Sequence, residues 1–331
     1  MAAPGTLATT ALGAGLLALA ACDGPQSALA PAGVSARELA GLWWVMAAGA
    51  LVIFLFVLGC AFYAARVAPR PHPDFAGTWF IVGGGVALPL VVLSALLAYS
   101  FVLGRDLSAT LGPEALRIEV VGKQWWWEVR YLRPDGEPVV SANELRLPVG
   151  QPVELALSST DVIHSFWLPS IGGKRDMVPG RVNHLVLEAE EPGVYRGQCA
   201  EYCGGPHALM AFYAIAEPPD DFAAWLEREA APAAAPEDAF LRRGHDLFHA
   251  SGCGACHAIR GTPASGQLGP DLTHVGGRMS LAAGILPNNV GTIAGWIADA
   301  QHLKPGNKMP SFNVFSGEEL RALAAYLASL R

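Results

Sequence analysis

Two uninterrupted apolar runs dominate the first third of the chain. Leu39–Ala65 holds 27 residues without a charge, and Ala76–Gly104 holds 29. About 20 apolar helical residues cross a bilayer, so each run is long enough to span with some tilt. Pro89 predicts a kink in the second helix. Trp43, Trp44, Trp79 and Tyr99 suit the aromatic belts of a membrane interface. Between the runs, Arg66–Phe75 carries Arg66, Arg70 and His72 among Pro69, Pro71 and Pro73. Its arginines favour the cytoplasmic side, which predicts a two-helix hairpin (39–65 and 76–104) with both flanks outside. Residues 1–21 form a further apolar run ending in Leu19-Ala20-Ala21, the pattern of an export signal. No Lys or Arg precedes Arg37, so an uncleaved apolar N-terminus is the alternative.

Beyond Arg105 the period shortens. Leu116–Val121, Trp125–Tyr131, Val153–Leu157, His184–Leu187 and Val194–Gly197 are short β-type runs. Pro134-Asp135-Gly136, Pro148-Val149-Gly150 and Pro192-Gly193 punctuate them, which predicts an all-β sandwich or barrel over 105–218. Residues 219–237 contain a short helical stretch and then Ala230-Ala231-Pro232-Ala233-Ala234-Ala235-Pro236, a semi-stiff linker. Residues 238–331 read as all-α. Ser316 and Glu319 make a capping box for the last helix, and Leu320, Leu323, Ala324, Leu327 and Leu330 share one face.

Composition agrees with a multi-domain membrane protein. Charged residues make up 15% and hydrophobic ones 52%, with a mean hydropathy of +0.33, against about 25% charged in ordinary soluble domains. The net charge of −7 argues against a nucleic-acid partner, which needs a basic face.

Five of the six cysteines fall where chemistry is readable. Cys253-Gly254-Ala255-Cys256-His257 is the C-x-x-C-H of covalent c-type haem attachment: two thiols add to the porphyrin vinyl groups and the histidine reaches the iron. A redox dithiol or half a zinc site is the alternative, but no second Cys/His pair follows to complete a zinc site. Met279, Met309, His274 and His302 are candidates for the second axial ligand. The second constellation is Cys199, Glu201, Cys203, His207 and Met210 on one stretch, with His164 upstream. Thiolate, imidazole and thioether suit copper. Two thiolates, two histidines and a methionine exceed one metal's needs, so the set points to two metals sharing sulfur. A Cys199–Cys203 disulfide is the alternative outside the cell, and it leaves His164, His207 and Met210 unexplained. Cys60, within the first span, reads as a buried inert thiol.

Several of these patterns resemble known families. Cys22, directly after Leu19-Ala20-Ala21, resembles the lipidated cysteine of bacterial lipoproteins. Residues 237–331, with Gly244, Phe248, C-x-x-C-H, Gly269-Pro270-Asp271-Leu272, Lys308-Met309-Pro310 and Tyr326, resemble a class I cytochrome c. That resemblance implies one covalent haem c on Cys253 and Cys256, with His257 and Met309 as axial ligands. Residues 38–216 resemble cytochrome c oxidase subunit II, a membrane hairpin followed by a cupredoxin barrel; the C-x-E-x-C-x-x-x-H-x-x-M pattern and the earlier histidine are all present. The resemblance implies a binuclear Cu-A centre, with Cys199 and Cys203 bridging, His164 and His207 each terminating one copper, Met210 on one metal and the Glu201 carbonyl on the other. It also implies a magnesium held by the Glu201 side chain with subunit I, and electron entry at Trp125 of Gln124-Trp125-Trp126-Trp127. Lys174-Arg175-Asp176 and Pro179-Gly180-Arg181 match a segment lying against subunit I.

Together the parts resemble subunit II of a caa-type oxidase. The implied function is to pass electrons from cytochrome c through haem c and Cu-A to a catalytic subunit that reduces dioxygen to water. The implied place is the bacterial inner membrane, with the metal domains on the periplasmic face and other oxidase subunits and membrane lipid as partners. Two alternatives stand beside it: an electron inlet for a nitric oxide reductase, and a stand-alone membrane-tethered electron carrier. One departure is visible. Many members carry a Glu near the cytoplasmic start of the second helix to feed a proton path, and here Pro73-Asp74-Phe75-Ala76-Gly77-Thr78-Trp79 has none.

Overall fold

The computed structural model describes residues 24–67, 77–106, 111–112, 115–133 and 136–331. The expected export signal, Cys22, Arg70, His72 and Asp74 lie outside the described residues. The described chain divides into a helical unit, within 37–109, and a unit formed by the preceding N-terminal residues and everything from Thr110 onward.

In the helical unit, α1 (Val34–Phe62) runs into a π-helical turn at Tyr63–Val67. Its 29 residues span about 44 Å at 1.5 Å per residue, more than the ~30 Å hydrocarbon core. The second span starts as α2 (Thr78–Val82), passes a π-helical turn at Gly83–Ala87 and continues as α3 (Leu88–Asp106). The irregular turn falls on Gly83-Gly84-Gly85, just ahead of Pro89. Proline removes an i→i−4 bond and crowds the preceding turn, so the break appears N-terminal to it. The large side chains of both spans point outward, as lipid-facing residues must. Cys60 is exposed on this surface rather than buried among the described residues. Two helices of this length and composition make the chain membrane-anchored.

The other unit holds two domains. The first is a sandwich of ten strands: β1 (Leu116–Lys123), β2 (Trp126–Tyr131), β3 (Val139–Ala142), β4 (Glu144–Pro148), β5 (Val153–Ser159), β6 (His164–Trp167), β7 (Lys174–Met177), β8 (Asn183–Leu187), β9 (Gly193–Cys199) and β10 (Ala211–Glu217). One sheet has the order β3-β2-β1-β5-β8, the other β4-β10-β9-β6-β7. Ile118, Val120, Val129, Leu155 and Leu157 from the first face Phe166, Phe212 and Ala214 from the second. Trp127 is fully buried among them, edge-on to Phe166 and Phe212. Gly197 lets Phe212 lie flat on β9: a Cβ there would meet the ring at 2.0 Å.

Residues 25–36 strap onto this sandwich. Ala32 N–H donates to the Ser170 carbonyl (2.7 Å), Ala36 N–H to Ile171 (3.2 Å), and Arg196 N–H to Pro25 (2.8 Å). The helical stretch expected before the linker is α4 (Pro219–Ala230). It belongs to the sandwich rather than to a free connection. Phe222 and Trp225 are in the core, with Trp225 edge-on to Tyr131 at 5.0 Å and beneath Arg146.

The second domain contains α5 (Ala239–Ala250), α6 (Val290–Leu303) and α7 (Gly317–Ser329), with a two-residue strand pair β11 (Ser280–Leu281) and β12 (Leu286–Pro287). The Ser316/Glu319 capping box forms as the sequence predicts, and Asn289 with Thr292 makes a second on α6. Leu323, Ala324, Leu327 and Leu330 are buried together with Phe248, Ile297 and Tyr326. Helices α5 and α7 cross at Gly244, where a Cβ would lie 2.1 Å from the Ala322 carbonyl.

Gly244→Ala forces this crossing apart, and overpacking costs about 1–3 kcal/mol. The expected result is a lower thermal midpoint for the α-helical domain, by about 4–8 °C per kcal/mol in a domain this small. Melting followed by far-ultraviolet circular dichroism checks it, and an unchanged midpoint contradicts the close crossing.

Candidate metal centres

Strand pairing assembles the first centre. β6 pairs with β9 so that Phe166 faces Cys199, which sets His164 beside the end of β9. β9 and β10 are antiparallel neighbours, and the loop joining them carries Cys203, His207 and Met210 back over the same point. Cys199 N–H donates to the Met210 carbonyl (2.8 Å) and Ala200 N–H to that of Ser165 (2.9 Å), closing the loop on both strands.

The two thiol sulfurs are 3.8 Å apart and unbonded. A disulfide needs about 2.05 Å, so the disulfide alternative is not the arrangement found. His164 Nδ1 lies 3.8 Å from Cys199 Sγ, and His207 Nδ1 lies 3.5 Å from Cys203 Sγ. Met210 Sδ is 3.9 Å from Cys203 Sγ, and the Glu201 carbonyl oxygen is 3.2 Å from Cys199 Sγ. His164, Cys199, Cys203 and Met210 are buried, whereas the Glu201 side chain is exposed. All the atoms of the expected ligand set therefore converge on one pair of sulfurs. Apart from the one carbonyl oxygen these are soft and borderline donors, and they fit copper.

The surroundings hold that set in place. His164 Nε2 is 2.9 Å from Asp161 Oδ1, which turns Nδ1 toward the sulfurs. A carboxylate behind a ligating histidine fixes its tautomer and orientation. Asp161 also accepts from Gln124 N–H (2.7 Å) and Val162 N–H (2.8 Å). Burial works against the Asp161 charge, but these bonds outweigh it and hold its pKa below the usual carboxylate value. Burial also opposes an imidazolium at His164, while its bonds to Cys199 and Asp161 favour one and raise its pKa. The hydrogen bond from Cys203 pushes the Cys199 thiol down, and the same bond with burial pushes Cys203 up. A coordinating thiol is deprotonated outright, so both sulfurs would meet a metal as thiolates.

Two glycines are required by approach. A Cβ at Gly122 would lie 2.8 Å from the His164 ring, and one at Gly204 (φ +115°) would lie 3.0 Å from Trp125. Trp125 Nε1–H and Gln124 Nε2–H both donate to the Cys203 carbonyl, at 3.0 and 2.8 Å. Gln124, Asp161, Gly122 and Gly204 were not singled out from sequence as parts of the site. The Asp three residues before a ligand histidine is the signal that could have found the first of these contacts.

The second centre is in the α-helical domain. Cys253 and Cys256 stand unbonded across the short turn Cys253–Ala255. His257 Nδ1 is 2.8 Å from the Pro270 carbonyl, so it donates there and leaves Nε2 for a metal. Gly269 gives the ring room, since a Cβ would meet it at 2.5 Å. Burial lowers the pKa of His257 and keeps it neutral, as a ligating imidazole must be. Met309 packs on the core cluster with Phe248 and Tyr326. Among the other three candidates, His274 Nε2 is bound to the Ala231 carbonyl (3.0 Å), His302 is exposed, and the Met279 amide is held by Glu144 (2.9 Å). The two thiols, the imidazole and the apolar residues around them fit a covalent haem.

Asp161→Asn keeps the shape and removes the charge behind His164. Loss of such a partner weakens metal affinity by about 10–100-fold. Competition of the copper-loaded chain with a chelator measures this, and unaltered retention contradicts the orienting role.

Comparison with known proteins agrees with this geometry. Residues 135–216 match the family "Cytochrome C oxidase subunit II, periplasmic domain", and residues 241–331 match "Cytochrome c". Cytochrome c oxidase subunit 2 of Alkalihalophilus pseudofirmus is 37% identical over 300 residues, covering 87% of this chain and 84% of its own. The subunit of the same name in Bacillus subtilis is 30% identical over 299 residues, covering 85% and 83%. That of Bacillus sp. is 35% identical over 225 residues, covering 65% and 62%. With its membrane helices, β-sandwich and cytochrome c domain in this order, the chain belongs to the cytochrome c oxidase subunit II family, a component of haem–copper oxidases.

Proposed function

We propose that this chain is the electron inlet of a terminal oxidase that reduces dioxygen to water on a partner subunit. The observation that carries the reading is the convergence of two thiols, two imidazoles, a thioether and a carbonyl on sulfurs 3.8 Å apart, in a chain that also carries C-x-x-C-H. Cys199, Cys203, His164, His207, Met210 and the Glu201 carbonyl would hold Cu-A. Cys253 and Cys256 would hold haem c, with His257 and Met309 as its iron ligands. The chemistry these groups would supply is one-electron transfer, from cytochrome c or a similar donor by way of the haem and the copper pair to the partner.

The protein's part is positioning. Asp161 and Gly122 set His164, and the Pro270 carbonyl sets His257. A thioether on the haem iron raises its potential. The exposed Glu201 side chain would reach a magnesium shared with subunit I, and the exposed edge strand β7 with residues 179–181 would lie against that subunit. The two long apolar helices support a two-pass topology. Arginines in the connection favour its cytoplasmic side, which leaves the metal domains on the periplasmic face of the inner membrane.

The test supplies reduced cytochrome c to the purified membrane complex and follows dioxygen and nitric oxide in parallel. Rapid dioxygen uptake, abolished by Cys199→Ser while the haem spectrum persists, is expected. Nitric oxide turnover without dioxygen uptake reassigns the enzyme, and no turnover with no co-purified subunit leaves a tethered carrier. Met309→Ala should retain covalent haem and lower its potential or make it high-spin; an unchanged spectrum moves the axial ligand elsewhere.

A further inference from the structure

The seam between the haem domain and the copper domain contains a buried lysine that neither metal site needs. Lys304, at the end of α6, is 2% exposed. Its Nζ donates to the backbone carbonyl of Trp125 in the copper domain (2.7 Å) and to that of Ala282 in its own (3.1 Å). The Trp125 indole in turn donates to the Cys203 carbonyl (3.0 Å). The loop after Lys304 carries Met309 and is braced from within. Asn307 Nδ2 donates to Ala300 and Lys304 carbonyls (both 2.8 Å), and Gln301 Nε2 donates to those of Asn307 (2.8 Å) and Met309 (2.7 Å). On the same loop Lys308 Nζ lies 3.7 Å from Asp161 Oδ2, and Asp161 holds His164. One rigid loop thus touches the carriers of both copper-site scaffolds, Trp125 and Asp161.

Burying a lysine amine is costly unless hydrogen bonds compensate, and one of the two carbonyls that accept from Nζ belongs to the other domain. The burial therefore depends on docking. Three further contacts cross the seam nearby. Ala211 N–H donates to the Ala283 carbonyl (2.9 Å), Arg196 to that of Gly284 (2.8 Å), and Met279 N–H to Glu144 Oε2 (2.9 Å).

We propose that residues 304–309 are an in-chain dock that fixes the haem domain on the Trp125 face of the copper loop, with Lys304 as its positioning residue. Trp125 then faces this chain's own haem domain. The inference rests on the relay reading, because it assigns the contact through which that relay would run.

The test uses the full chain with copper and haem bound, in the purified complex. Amide exchange comes first: in the unmodified protein the Ala211 and Met279 amides should be strongly protected, and exchange at free-loop rates overturns the dock whatever any variant does. Lys304→Met should then accelerate exchange at both amides by about tenfold or more, the effect of leaving a buried carbonyl acceptor unsatisfied. It should slow haem-to-copper electron transfer by about the same factor, with both metal spectra unchanged, and Lys304→Arg should recover most of both. Faster exchange with an unaltered transfer rate, or no change in either, overturns the positioning role. An intact dock with no electron passing from haem to copper in the unmodified protein overturns the relay and leaves the dock standing.

Discussion

Two sulfurs held 3.8 Å apart without bonding to each other are the constraint from which the copper domain follows. The distance is too long for a disulfide, so the spacing is set by the scaffold. β6 and β9 impose it from below by pairing Phe166 with Cys199, and the β9–β10 return imposes it from above by bringing Cys203 and Met210 back. The aromatic core of Trp127, Phe166 and Phe212 is the floor on which both strands sit. Gly122 and Gly204 are then necessities of approach, because the imidazole and the indole occupy the space a side chain would take.

The sequence displayed the metal donors well and their supports poorly, for a physical reason. A metal demands fixed residue types at short, loop-compatible spacings, so Cys199–Met210 and Cys253–His257 stand out in one dimension. The supports act across long separations through groups that every residue has or that many share. Gln124 bonds a carbonyl 79 residues away, and Lys304 bonds one 179 away. Nothing in Leu303-Lys304-Pro305 distinguishes a buried lysine from an exposed one. Likewise α4 was legible as a helix, whereas its place in the sandwich core depends on Tyr131 and Arg146. The break in the second span was expected from Pro89 and appears at the preceding glycines, since the proline ring acts on the turn before it.

The seam between the two domains is polar, which would make a poor interface between separate proteins. Each hydrogen bond contributes about 0.5–1.5 kcal/mol net, whereas free association costs an estimated 4–15 kcal/mol in lost motion. The covalent tether changes that balance by making docking intramolecular. It begins at α4, anchored through Phe222 and Trp225, and it is gathered onto the haem domain where Ala233 N–H bonds the Arg260 carbonyl (2.9 Å). Arg260 reaches back to the carbonyls of Val140 and Glu229. A short, held tether lets a few directional contacts suffice, and directional contacts fix an orientation that a greasy surface would leave loose. For a chain proposed to hold two redox groups at a constant separation, orientation is worth more than affinity, and a seam made of basic side chains, carbonyls and a carboxylate is the form that requirement takes.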